Sequence, residues 1–264
     1  MEISPPWGAK IGVLELFGPL TGARRLANYV KMVDDLQKSR RIKSVILNID
    51  SPGGLATASD YLYTAVGKLS AKKPVVAFIS GAGNSGAFLV SCAANKIVAL
   101  PSAVVGSIGV LSIRPVLQDL LQRMGIRVTV TKSGHLKDMG AIYRELTEEE
   151  KKKEQELINS FYDYFIRAVA KGRGLDEKSV RELATGEVFL GEKAKALGLV
   201  DEIGDFDVAL DLAAQLGKVP RRVTYVRPRP SLPERLLSRF AASLVEETVA
   251  EVEYWFTRQI YYLG

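Results

Sequence analysis

The chain has 264 residues, of which 47% are hydrophobic and 25% charged, a composition that indicates a globular protein and excludes a disordered one. Its only cysteine, Cys92, excludes an internal disulfide and a zinc site built from several cysteines, and its apolar neighbours predict a buried packing role. The net charge of +6 does not indicate nucleic-acid binding, because most basic residues are interleaved with acidic ones.

Apolar runs alternate with helical patterns along the first two thirds of the chain, as in α/β domains with a largely parallel sheet. Several runs are continuously apolar, which is typical of strands buried on both faces. Strands are predicted at residues 11–17, 44–49, 74–79, 96–99 and 126–131. Helices are predicted at residues 25–37, 55–69, 87–94 and 115–124.

The last third of the chain is predicted to be mainly helical. Residues 147–150 form a capping-box pattern that opens a long helix toward Lys171, and a shorter helix follows from Asp176. From Ser231 apolar residues recur at helical spacing, which predicts an amphipathic helix that packs on the domain or a subunit, or lies on a membrane surface. The basic residues between 218 and 239 favour an anionic membrane surface or an acidic partner.

Residues 81–88, GAGNSGAF, form a glycine-rich turn between a predicted strand and a predicted helix. Such a turn exposes the hydroxyl of Ser85 and the backbone N–H groups at the helix start, as a nucleophile requires. The same residues match the dinucleotide fingerprint G-x-G-x-x-G, which needs an acidic residue about twenty positions later. No Asp or Glu occurs between Ala87 and Gln118, which argues against dinucleotide binding. We expect no cofactor and no metal ion.

Two further segments supply partners for Ser85. Residues 50–54, DSPGG, follow a strand, and an N–H group exposed there can form an oxyanion hole with that of Gly86. The general base is either His135 or Lys137, and a lysine can act only where desolvation or a nearby cation leaves part of its amine neutral. Ser107 is a candidate for the hydroxyl that orients such a lysine.

With these motifs the chain resembles the signal peptide peptidase A serine peptidases, in the superfamily of Clp protease and crotonase. The resemblance covers roughly residues 10–215 and implies a repeated ββα-type core with a mostly parallel sheet. It implies that Ser85 is the nucleophile, Lys137 is the general base and Ser107 is the hydroxyl that orients the lysine. Lys137 thus takes the role that a histidine has in Clp protease. The matching segments are residues 10–13, 50–54, 80–94, 104–110, 132–140, 185–189 and 198–204.

Several further expectations follow from this resemblance. The oxyanion hole consists of the N–H groups of Gly54 and Gly86, with Gly53 as second choice for the upstream donor. Substrates are apolar peptides such as remnant signal peptides, and the enzyme is a homo-oligomeric ring in which Ser85 and Lys137 meet either between subunits or within one chain. The domains are residues 1–9, an extension without the anchor of relatives, 10–216, the peptidase domain, and 217–264, the basic segment and amphipathic helix.

The chain departs from the family pattern in two ways. Relatives usually carry a transmembrane anchor before the first strand, and this anchor is not in this chain; the expected location is at a membrane, on the extracytoplasmic side, and the alternative is a soluble cytoplasmic relative. The second departure is Ala87, where the family commonly has glycine. Two other functions remain open from the residues: a non-catalytic membrane-associated scaffold of the same fold, and a crotonase-like enzyme acting on acyl-CoA thioesters.

Overall fold

The computed structural model describes residues 10–227, which form one mixed α/β unit around a mostly parallel sheet. The strands are β1 (Ile11–Phe17), β2 (Ser44–Ser51), β3 (Val75–Asn84), β4 (Lys96–Ala99), β5 (Val104–Gly106), β6 (Val188–Leu190), β7 (Glu202–Ile203) and β8 (Val223–Val226). The helices are α1 (Ala23–Lys38), α2 (Ala56–Ser70), α3 (Gly86–Ser91), α4 (Gln118–Arg123), α5 (Glu148–Arg173), α6 (Glu177–Leu183), α7 (Gly191–Ala196) and α8 (Phe206–Gly217).

The sheet has the order β6-β5-β3-β2-β1-β8, and every pair is parallel except β5 with β6. Strand β3 forks the sheet, because its first half pairs with β4, which in turn pairs with β7, and its last residues pair with β5. The register between β2 and β3 runs from Val45 opposite Val75 to Ile49 opposite Ile79, then shifts so that Ser51 faces Gly83. This irregularity brings the ends of β2 and β3 together at the edge that carries the predicted turns.

Both faces of the central strands are covered, which explains their continuous apolar sequence. Alternate residues of β2 contribute to two clusters, with Leu47 packed toward α1, α2 and α3, and Ile46 packed toward α8. Cys92 lies in the first cluster at 3% exposure, and burial raises the pKa of its thiol to about 12. The predicted packing role of Cys92 is therefore confirmed.

The predicted fold class is confirmed, and so are most elements. The strands predicted at residues 11–17 and 96–99 have those bounds, while β2 and β3 extend further into the glycine-rich turns. Helix α5 begins with the predicted capping box at Thr147 and ends before Gly174, which has a φ of 66°. Strand β8 continues the sheet to Val226, beyond the end of the resemblance.

The strand predicted at residues 126–131 is wrong for the single chain. These residues form no ladder with any described strand, and Ile126, Val128 and Val130 are 45%, 47% and 41% exposed. A strand requires a partner for its backbone groups, and none of residues 10–227 pairs with the segment. The helix predicted at 115–124 is present but shorter, as α4.

The extension at residues 1–9 and the amphipathic helix predicted from Ser231 lie outside the described residues. Within residues 10–227, no helix has both the length and the apolar character needed to cross a bilayer.

Candidate active site

Ser85 occupies the step from β3 to α3, where the backbone turns sharply. Its φ of 50° and ψ of −123° lie outside the regions that non-glycine residues normally adopt. Its N–H donates to the carbonyl of Gly106 in β5 at 2.8 Å, and α3 behind it is buried throughout. Strain of this kind persists only where surrounding structure enforces it, and it is common at catalytic residues. The turn therefore presents the hydroxyl from a rigid support.

The turn after β2 packs directly against the Ser85 turn. Gly53 has a φ of 93°, and a Cβ there would lie 2.7 Å from the carbonyl oxygen of Asn84 and 2.8 Å from the nitrogen of Gly86. Only glycine allows this approach. The ideal Cβ position of Gly86 is 3.6 Å from the nitrogen of Gly54, so the two backbone turns meet beside Ser85.

The N–H groups of the two upstream glycines differ in their partners. Gly53 N–H donates to the hydroxyl of the buried Ser51 at 3.2 Å. Gly54 forms a parallel bridge with Leu20, whose carbonyl accepts from Leu55 at 3.1 Å, and the N–H of Gly54 has no acceptor within residues 10–227. Of the two groups, the N–H of Gly54 is therefore the one free to donate to a ligand.

A cleft of about 930 Å³ opens beside Ser85, between the first turns of α2 and the middle of α5. Ser107, with a φ of 49°, lies in its wall, and its N–H donates to the carbonyl of Glu187 at 2.7 Å. Most of the lining is apolar or uncharged, as a site for an extended peptide requires. The apolar part of the lining includes Leu89, Val110, Leu111, Leu157, Ile158, Phe161 and Phe165.

Neither candidate base lies in this cleft. Lys137 is exposed in a turn, its N–H donates to the carbonyl of Gly134 at 3.1 Å, and it is not among the lining residues. His135 is also exposed, with Nε2 3.2 Å from a carboxylate oxygen of Glu149. Both belong to residues 110–146, which we call the arm because the segment has little regular structure and carries many exposed apolar side chains. The single chain brings Ser85, Ser107, Gly54 and Gly86 together and leaves Lys137 outside.

Asp138, next to Lys137, accepts hydrogen bonds from three side chains. Lys132 Nζ lies 2.5 Å from Oδ1, and Tyr143 Oη and Arg144 Nε both donate to Oδ2 at 3.0 Å. These donors, chiefly Arg144, hold the pKa of Asp138 well below its usual range. The carboxylate beside Lys137 is thus already satisfied by the arm's own donors.

Arg144 also connects the arm to the start of α5. Its Nη1 and Nη2 atoms donate to the two carboxylate oxygens of Glu150 at 2.7 and 2.6 Å, and Glu150 is only 2% exposed. Glu150 also accepts from the N–H of Thr147 at 2.9 Å, as the capping box requires. The hydrogen bond from Arg144, with that from Thr147, lowers the pKa of Glu150 to about 2. The turn that carries Lys137 is therefore anchored to α5 before any other chain binds.

Replacing Arg144 with methionine is expected to lower the free energy of unfolding at pH 7 and to have a smaller effect in acid. Because the pKa of Glu150 is about 2 in the folded protein against an ordinary 4.5, its stabilising contribution is present above about pH 4.5. It is lost as the pH falls toward 2. Urea unfolding of both proteins across this range should show their stabilities converging.

The matched control is Arg181→Met, which removes an ion pair with Asp163 whose two side chains are about half exposed. Pairs of this kind contribute little, so its stability should stay near that of the wild type at each pH. A constant difference between wild type and Arg144→Met from pH 7 to low pH would contradict the role assigned to Glu150.

Three cleft or support residues were not identified from the sequence. Ser51 engages Gly53, while Asp60 on α2 and Tyr164 on α5 form a hydrogen bond across the cleft. Asp60 and Tyr164 could not be found from the sequence, because they are far apart in the chain and each fits the pattern of an ordinary helix. Ser51 could have been found, because it lies inside the DSPGG motif.

Comparison with known proteins finds a matching peptidase family and relatives described as proteases. A model of Peptidase family S49 matches residues 67–220. A protein of Methanocaldococcus jannaschii described as a putative protease is 41% identical over 199 residues, with 75% of this chain and 64% of that protein covered. A chloroplastic serine protease, SPPA, of Arabidopsis thaliana is 32% identical over 237 residues, covering 86% of this chain and 35% of its own length. A putative signal peptide peptidase of Enterococcus faecium is 35% identical over 185 residues, covering 70% and 54%.

The chain thus spans less than two thirds of the length of each of these three relatives. Among solved structures, a serine-to-alanine mutant of a membrane-bound stomatin-specific protease aligns with a TM-score of 0.56 at 15% identity, over 84% of this chain and 99% of that one. A lysine-to-alanine mutant of the same protease, in complex with a substrate peptide, gives a TM-score of 0.54 at 17% identity, over 89% and 99%. These structures share the fold.

Proposed function

The chain belongs to Peptidase family S49, and we propose that it is a serine endopeptidase in which Lys137 activates Ser85. The observation that carries this proposal is the strained Ser85 turn, packed against a second turn whose Gly54 N–H is free. No histidine lies in the cleft within residues 10–227, and Lys137 lies in a turn that the Arg144 contacts anchor. A neutral lysine amine can take the proton of a serine hydroxyl at a desolvated site.

The reaction proceeds through an acyl-enzyme. Lys137 Nζ accepts the hydroxyl proton as Ser85 Oγ attacks the scissile carbonyl carbon, and the N–H groups of Gly54 and Gly86 donate to the oxyanion. Lys137 then returns the proton to the leaving amine as the C–N bond breaks. In the second half, Lys137 takes a proton from water as the water oxygen attacks the ester carbonyl. Lys137 returns this proton to Ser85 Oγ as the C–O bond to the serine breaks and the acid leaves. Ser107 accepts a hydrogen bond from the amine and orients it.

Gly54 is preferred to Gly53 as the upstream oxyanion donor because of hydrogen-bond competition. The N–H of Gly53 already donates to Ser51, and redirecting it would leave a buried hydroxyl without that partner. The N–H of Gly54 has no such commitment within the described residues and lies beside Gly86. Two preorganised N–H donors are what a tetrahedral intermediate needs.

The proposed active enzyme is a homo-oligomer in which the arm of one chain supplies Lys137 to Ser85 of its neighbour. The exposure of Lys137 in the single chain and the unpaired apolar alternation at Ile126, Val128 and Val130 support this arrangement. Residues with this alternation normally face a covered surface. Closure by a neighbour also removes water from the lysine, as the mechanism requires.

The proposed substrates are apolar peptides such as remnant signal peptides, in keeping with the apolar lining of the cleft and the name of the Enterococcus relative. A membrane-associated location, with the domain on the extracytoplasmic side, is proposed from the resemblance and from the basic and amphipathic sequence after residue 217. Liposome flotation with and without residues 231–264 tests the membrane part, and equal flotation would refute a role for that segment.

A serine-directed fluorophosphonate probe tests the catalytic proposal directly. We expect the probe to label the wild-type oligomer at one residue, identified as Ser85 by mass spectrometry, because only an activated hydroxyl displaces fluoride. The Lys137→Ala protein should label far more slowly, and Ser85→Ala not at all. Absence of Ser85 labelling in the folded oligomer would favour the non-catalytic scaffold instead.

A further inference from the structure

Asp60 is the one charged side chain among the residues that line the cleft in the described part of the chain. It lies on α2, and one of its carboxylate oxygens accepts a hydrogen bond from the hydroxyl of Tyr164 on α5. Within residues 10–227 it forms no ion pair, and no lysine, arginine or histidine lines the same cavity. A partly buried carboxylate in an apolar cleft without a cation is costly to maintain for packing alone.

The Tyr164 hydroxyl does not neutralise this charge. Burial, together with the hydrogen bond to Asp60, raises the pKa of Tyr164, so the phenol stays protonated and remains the donor. Its single hydrogen engages one oxygen of Asp60, and the second oxygen has no donor within residues 10–227. The second carboxylate oxygen of Asp60 is therefore an unused acceptor in the cleft.

The position of Asp60 relative to the nucleophile is set by its neighbour Ser59. Ser59 Oγ lies 1.9 Å from the position that a Cβ on Gly86 would occupy, so this turn of α2 packs directly on the residue that follows Ser85. Ser85, Asp60 and Tyr164 line the same cleft. We therefore expect a peptide bound at Ser85 to place a side chain near the scissile bond within reach of the carboxylate.

We propose that Asp60 makes this peptidase select a cationic side chain, lysine or arginine, at the subsite between α2 and α5 of an otherwise apolar peptide. This inference rests on the proposed function, since it concerns which peptides the Ser85 site accepts. A carboxylate in a substrate pocket pairs with lysine or arginine through charge-assisted hydrogen bonds, and it rejects acidic side chains by repulsion. The enzyme would then favour apolar segments that contain a basic residue.

The test uses internally quenched peptides of one apolar sequence, in which lysine, norleucine or glutamate is placed at each position around the cleavage site in turn. Norleucine matches the lysine stem but lacks the charge. We expect one position at which the wild-type kcat/KM for lysine exceeds that for norleucine by roughly 10-fold to 100-fold, with glutamate poorest. In Asp60→Asn, which keeps an acceptor for Tyr164, the lysine-to-norleucine ratio should fall to about 1.

Two variants control for net charge and for the hydrogen bond. Asp34→Asn removes a carboxylate from α1, which does not line the cleft, and should keep the wild-type ratio. Tyr164→Phe removes the hydroxyl and leaves the charge, so lysine should still be preferred. Because each ratio is measured within one protein, a loss of folded enzyme in a variant does not alter it, and the wild-type ratios test the proposal by themselves.

Three results would overturn the inference. Cleavage by the wild type that does not discriminate lysine from norleucine at any position would refute the selectivity and leave the proposed function intact. An equal slowing of all peptides in Asp60→Asn would assign Asp60 to structure or to a cation from a neighbouring chain. If no peptide is cleaved in a Ser85-dependent manner, the proposed function fails as well.

Discussion

Ser85→Ala is expected to reduce kcat for peptide hydrolysis by a factor on the order of 10⁴ to 10⁶, because the acyl-enzyme can no longer form. The measurement is hydrolysis of a casein-type or signal-peptide substrate under saturating conditions. Ser80→Ala is the matched control, since Ser80 lies on the same strand, donates to the carbonyl of Ile49 and does not line the cleft. Its activity should stay close to that of the wild type.

Lys137→Ala is expected to cause a loss of similar size, because a serine hydroxyl without its base is a weak nucleophile. Lys68→Ala, which removes an exposed lysine from α2, is the control. Equal turnover by wild type, Ser85→Ala and Lys137→Ala would refute the proposed mechanism. If only Ser85→Ala loses activity, Ser85 remains the nucleophile and a group other than Lys137 is the base.

Mixing the two inactive variants shows whether the dyad forms between chains. If Lys137 acts on Ser85 of a neighbour, subunits exchanged at equal amounts restore about a quarter of the sites, because each site needs an intact serine and an intact lysine from adjacent chains in a ring. If the dyad forms within one chain, mixing restores nothing. The assay requires that subunit exchange be verified with differently tagged chains.

Val128→Lys is expected to dissociate the oligomer and to lower kcat/KM by two orders of magnitude or more. Val128 is 47% exposed in the single chain, at the middle of the alternating apolar residues of the arm. Placing a charge where a neighbouring chain covers this residue costs a desolvation penalty on top of about 2 kcal/mol of lost apolar burial. Without assembly, Lys137 no longer reaches Ser85.

The measurements are light scattering after gel filtration and peptide hydrolysis on the separated species. Leu216→Lys is the matched control, since Leu216 is 38% exposed on α8, outside the arm. It should leave both the assembly and the activity unchanged. A monomeric Val128→Lys protein with full activity would refute delivery of Lys137 by a neighbour.

The elements of the central sheet could be predicted because their signals are local. Residues 11–17 and 96–99 are short apolar runs between turn residues, and the structure forms strands with those bounds. The capping box at Thr147 is a four-residue pattern, and both of its hydrogen bonds are present. The turn at Ser85 follows equally from neighbouring glycines and from the apolar run before them.

The segment at residues 126–131 could not be predicted in the same way. Its alternating pattern is that of a half-covered strand, but a strand also needs a partner for its backbone, and this partner depends on what lies beside it. No strand in the described part of the chain pairs with it. The alternating pattern predicts that one face of the segment is covered, but the sequence does not identify what covers it.

By itself, the sequence determined which residues are proposed for the site and the local backbone that presents them: Ser85 in its glycine turn, the DSPGG turn, and Lys137 as the alternative to the only histidine. It could do so because turns depend on a few adjacent residues. Only the tertiary structure decided that Gly53 N–H donates to Ser51 while Gly54 N–H has no acceptor among residues 10–227. It also decided that Lys137 lies outside the cleft and that Asp60 accepts from Tyr164 within it. Burial and competition for hydrogen bonds involve residues distant in the chain, so they are settled when the chain folds.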